Sequence, residues 1–248
     1  MQRLVVGSFA AIVLAVAWAT PAAAWDSAKF KWLTTIVHPT HSYLTEYAID
    51  QLVADFPELG TYRAVIVEGA NQELHELPVT GVLHGVDLEA RRVARKGTNA
   101  GSDDMPGWWA DAEAAYAAGN KERAWFLIGI MVHMIEDMGV PAHANGVYHQ
   151  GTLTEFDNFE AMALQKWDPD FKGVNRTDPG YADPSAYYRF SQDWAKTDAP
   201  DYRDRDAFAK TWLTASSKEK ALVRNRQGRT ATVVLWALRA AATAFAMI

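Results

Sequence analysis

WFLIGIMVHMIEDMGVPAHAN, running from Trp125 to Asn145, is the stretch whose reading decides the fold. Its apolar run reads as a buried helix, and His133 and Asp137 stand four apart inside it. That spacing places an imidazole and a carboxylate on one helical face, one turn apart. Gly139 and Pro141 then end the helix and turn the chain. His143 follows at once, where it can close back on the same space. Nitrogen, oxygen and nitrogen converging beside a buried helix suit a zinc ion. The competing reading is a His and an Asp satisfied inside a core, with no metal.

The flanking sequence predicts an all-α protein, a single compact multi-helix domain with the metal site between helices. In THSYLTEYAIDQLVADF, Leu44, Tyr47, Ala48 and Leu52 recur at helical spacing, and Pro57 is expected to end that helix. Helices are predicted from about 108 to 118 and 121 to 138, joined at Gly119, and from about 154 to 166. KWDPDFKGVNRTDPGYADPS carries three Asp-Pro steps and two glycines, which predicts a loop. Helices near 185–196, 206–216 and 218–247 complete the chain. The last segment, ATVVLWALRAAATAFAMI, is apolar enough to suggest a membrane span, but Arg239 in its middle favours a core helix.

The amino terminus carries a second signal. Arg3, the apolar run LVVGSFAAIVLAVAWA and the small residues TPAAA form the pattern of a secretory signal peptide over residues 1–24. The run is short for a membrane anchor. Cleavage after Ala24 would leave Trp25 first in a domain spanning residues 25–248, secreted or periplasmic. That domain has 224 of the 248 residues, enough for a sizeable core. The hydrophobic content of 49% is ordinary for a soluble protein. There is no cysteine, so disulfides and thiolate zinc sites are excluded. Losing Arg3 takes the formal charge from −6 to about −7, which does not draw the protein to nucleic acid or anionic lipid.

With these residues the chain resembles the zinc-dependent phospholipase C and single-strand nuclease family. The family motif runs His, three residues, Asp, three residues, Pro, one residue, His, then Asn. Here these are His133, Asp137, Pro141, His143 and Asn145, the Asn one place early. The resemblance covers about residues 25–165 and implies a helical exported enzyme holding two or three zinc ions. It further implies that Trp25 ligates through its free amine and carbonyl oxygen. Asp137 would bridge two ions, and His133 and His143 would serve different ones. His41 is expected just ahead of the first helix; a family ligand His stands seven residues before an Ala-Ile pair, as His41 does before Ala48, with His38 as competitor.

Three further positions follow by resemblance. His84, in VLHGVD, matches the next family imidazole. Its acidic partner upstream is usually Asp; here Glu73 stands eleven residues before it, with His75 and Glu76 as alternatives. Glu73 to Glu76 as a solvated helix face is the competing reading. After the central motif the family has His, three residues, then Glu. FDNFE puts Glu160 at the acid but Phe156 at the His, so His149 is the expected substitute, with Glu155 an added carboxylate. A site with only two zincs is the alternative.

Clustered zinc would bind the oxygens of a phosphodiester and acidify a water, with Glu73 as the expected base and Asp137 beside it. The expected substrate is a phospholipid or other phosphodiester, met through transient contact with a membrane surface. Nucleic acid enters only as substrate, in the nuclease alternative. Trp108, Trp109 and Tyr116 are candidates for an apolar entrance, with core packing as the competing reading. Two basic runs, Arg91, Arg92, Arg95 and Lys96 and then Arg224, Arg226 and Arg229, are candidate contacts or solvated faces. A silent zinc-binding protein and a purely structural helical domain are the remaining alternatives.

Overall fold

A computed structural model of the chain describes residues 40–71, 100–145, 163, 167–197 and 217–248, and among them the fold is all-α, with no strand. In chain order the helices are α1 (Thr40–Leu52), α2 (Pro57–Thr61), α3 (Arg63–Ala70), α4 (Ala100–Ala117), α5 (Lys121–Asp137), α6 (Pro141–Asn145), α7 (Ala186–Thr197) and α8 (Ser217–Phe245). The signal-peptide segment, Trp25, most of the expected 154–166 helix and the 206–216 helix lie outside the described residues.

α5 is the centre. Gly119, at φ +80°, turns the chain out of α4. Asn120 then caps α5, its side chain accepting the Arg123 backbone N–H at 3.2 Å. From Ala124 to Asp137 every residue of α5 except Phe126 is buried, and the helix touches α1, α3, α4, α7 and α8. A helix apolar on all sides has to be covered on all sides.

The approach of α3 to α5 is set by two glycines. A Cβ on Gly129 would lie 2.3 Å from the Ile66 carbonyl oxygen, and one on Gly69 would lie 2.4 Å from that of Phe126. The two helix backbones therefore touch where neither carries a side chain.

Pro57 behaves differently from expectation. α1 ends at Leu52, and Pro57 opens α2 at its first turn, where a missing N–H costs nothing. α4 begins at Ala100, ahead of the expected 108, and runs through Pro106. Pro106 and Gly107 are exposed, whereas Met105, Trp108, Trp109 and Ala112 are buried in the core. That burial outweighs the roughly 3 kcal/mol penalty of an interior proline.

α3 has no counterpart among the expected helices. The Asp-Pro segment is a loop with one 3-10 turn, Phe171–Gly173. Asp178 and Asp183 each accept the backbone N–H two residues on, at 2.9 and 2.7 Å, which is how Asp favours a turn there. On α8, Arg239 is exposed and pairs with Asp178 at 3.5 Å. Among the described residues no helix is long and apolar enough to cross a membrane.

Candidate metal centre

α1 and α5 bring three expected residues together. His41, His133 and Asp137 are fully buried, and one ligand atom of each lies within 4.8 Å of the others, so this group could hold a metal ion. His41 was expected ahead of the first helix. It is instead the second residue of α1, one turn before Thr45, so the helix itself aims the ring.

The ring nitrogens are sorted by their partners. His133 Nδ1 lies 2.9 Å from the Ala70 carbonyl oxygen, which can only accept, so this nitrogen carries the ring proton. His41 Nδ1 lies 2.5 Å from Glu136 Oε2 and donates to it when that carboxylate is ionised. Both Nε2 atoms are then the acceptor nitrogens of their rings. They face Asp137, His41 at 3.6 Å from Oδ1 and His133 at 3.5 Å from Oδ2. The two rings stack with centroids 4.4 Å apart. The grouping could hold a metal ion, and a ring N–H held by carbonyl or carboxylate is how ligating histidines are usually fixed.

Glu136 escaped the sequence reading. Its Oε1 accepts the Thr45 hydroxyl at 2.8 Å, and the residue is fully buried. Burial holds its carboxyl well above the usual carboxylate range, and the Asp137 charge adds to that. The Thr45 bond and His133 act the other way. The available signal was its position three residues after His133, which puts it near the same helical face.

The other expected residues divide in two. His143 is fully buried on α6, a short helix opened by Pro141, but lies outside the three-residue grouping. Trp25, Glu73, His84, His149 and Glu160 lie outside the described residues, as do His38, His75, Glu76, Glu155 and Phe156.

The apolar-entrance candidates are core. Trp108 and Trp109 are 5% and 8% exposed, and Tyr116 donates to Glu58 Oε2 at 2.6 Å while stacking on Phe245. The second basic run does not form one face either. Arg224 pairs with Asp168 at 3.4 Å, Arg226 is buried, and Arg229 donates to the Gly173 carbonyl at 3.1 Å beside the Trp194 ring. Arg91, Arg92, Arg95 and Lys96 lie outside the described residues.

Compared with protein families, with curated proteins and with solved structures, the chain matches none.

Proposed function

We propose that the protein is an exported, zinc-dependent hydrolase of phosphoric esters, phospholipase C-like, acting on phospholipid. The observation that carries this reading is the convergence of His41 Nε2, His133 Nε2 and the Asp137 carboxylate on one buried point. Zinc bonds of about 2.0–2.1 Å at tetrahedral angles separate neighbouring ligand atoms by about 3.3 Å. The separations of 3.6 and 3.5 Å are close to that edge. The order His133, Asp137, Pro141, His143 supports the kinship with zinc-dependent phospholipases and nucleases.

When bound, zinc supplies positive charge to phosphoryl oxygens and lowers the pKa of a water. The chain's own residues supply the rest. Ala70 and Glu136 hold the imidazole rings with Nε2 inward. Asp137 contributes the negative charge that retains a cation, and full burial excludes bulk water that would screen it. A formal charge of −6 disfavours a polyanionic strand, whereas a zwitterionic lipid carries no net charge to repel.

The test joins three measurements on protein recovered from export without chelator. They are its first residue, its metal content, and hydrolysis of phosphatidylcholine and of single-stranded DNA. Trp25 first, bound zinc, and lipid cleavage abolished by Asp137→Asn are the expected results. Absence of zinc overturns the metal reading. Zinc with cleavage of DNA alone moves the substrate to nucleic acid, and zinc with neither activity leaves a binding protein without this chemistry.

A further inference from the structure

Glu136 is a fully buried acid that the metal-capable grouping leaves outside. It and Asp137 are consecutive on α5, about 100° apart around the helix, and His41 lies between them. One carboxylate faces each ring nitrogen: Glu136 Oε2 is 2.5 Å from Nδ1, and Asp137 Oδ1 is 3.6 Å from Nε2. Thr45, one turn after His41 on α1, donates to the other Glu136 oxygen at 2.8 Å. Two side chains of α1 thus hold both oxygens of Glu136.

We propose that Glu136 is a positioning residue, which through His41 Nδ1 turns His41 Nε2 onto the metal and strengthens the site's hold on a divalent cation. The inference rests on the metal reading of the site. Its physical basis is geometric. A carboxylate at Nδ1 fixes the tautomer and makes the opposite nitrogen a better donor to a cation, and the Thr45 bond to the other oxygen holds that carboxylate in place.

The test measures zinc affinity of the full chain by competition with a chromophoric chelator, together with the melting temperature of the metal-free protein. In Glu136→Gln the amide oxygen still accepts from His41 and the NH2 still meets Thr45, so volume and bonding persist while the charge goes. Zinc should bind about 10–100-fold more weakly, with the metal-free melting temperature held within a few degrees. Thr45→Val, which frees one oxygen and leaves the charge, should weaken zinc in the same direction but less.

Zinc binding within twofold of wild type in Glu136→Gln overturns the proposal. So does an affinity loss matched by a large fall in metal-free melting temperature, which would mark Glu136 as a packing residue. If Glu136→Gln does not fold, Thr45→Val decides, and unchanged affinity there overturns the proposal. Wild-type protein that binds no zinc overturns the metal reading itself, a result distinct from a zinc-binding wild type with an indifferent Glu136→Gln.

Discussion

Gly129→Ala is expected to loosen the candidate metal centre without altering any of the residues that would hold the ion. The added Cβ would stand 2.3 Å from the Ile66 carbonyl oxygen, 2.9 Å from Gly69 Cα and 3.1 Å from the Ala70 backbone nitrogen. An ordinary carbon–oxygen contact is about 3.3 Å, so α3 has to retreat from α5 by about 1 Å. The three nearest atoms are all backbone, so no side-chain rotation relieves the contact. Overpacking of this kind costs about 1–3 kcal/mol, and at this chain length each kcal/mol lowers the melting temperature by about 2–4 °C.

The retreat also carries the Ala70 carbonyl away from His133 Nδ1, which it meets at 2.9 Å. A further ~1 Å takes that pair beyond hydrogen-bond range. With its outer partner lost, His133 should hold zinc about 10–100-fold more weakly. The assay is zinc competition run beside thermal melting, on Gly129→Ala, Gly69→Ala and the double variant. Both single changes force the same separation, so the double should lose less than the sum. Gly129→Ala that melts lower yet binds zinc like wild type would refute the reasoning, because Ala70 would then have no part in aiming His133.

Two further outcomes are expected. A strong chelator should lower the melting temperature of the metal-loaded protein, since an ion bound only to the folded state adds about 2.7 kcal/mol at one hundred times its Kd; Asp137→Asn, lacking the shared carboxylate, should melt alike with and without chelator. Glu58 gives a pH effect. Burial raises its carboxyl, but hydrogen bonds from Lys121 and Tyr116 outweigh this and leave it below its ordinary range. A depressed folded value stabilises above the unfolded pKa and is lost as pH falls through the folded one. Wild type should therefore lose melting temperature more steeply than Glu58→Gln between about pH 5 and pH 3, and equal slopes would show that the pair does not act on stability.

Legibility in the sequence followed the range of the interaction. His133 and Asp137 could be paired because both sit on one helix, where a spacing of four fixes their relation before any tertiary contact forms. His41 stands seven residues before Ala48, but its place inside α1 was not legible, because Thr40 and Ser42 on either side are both cap-type residues and leave the start of the helix open. Pro57 and Pro106 show the same limit from the other side. A proline rule knows the lost N–H but not whether the position starts a helix or faces solvent on one whose other face is buried. The partner of His133 is a main-chain oxygen, which has no letter in the sequence at all.

Glu136 illustrates why such residues escape. Beside Asp137 it reads as the first half of an acidic pair on a helix, and an acidic pair ordinarily faces water. Only the arrival of α1, laid along α5 so that His41 enters between the two carboxylates and Thr45 reaches the outer one, makes it an interior group. The same logic joins Gly69 and Gly129, which hold no ligand yet set how near the Ala70 carbonyl comes to His133. The candidate centre is thus a product of two helix contacts, α1 with α5 and α3 with α5, each supplying one imidazole's outer partner. A change at either contact should reach the ion through a ring nitrogen that never touches it.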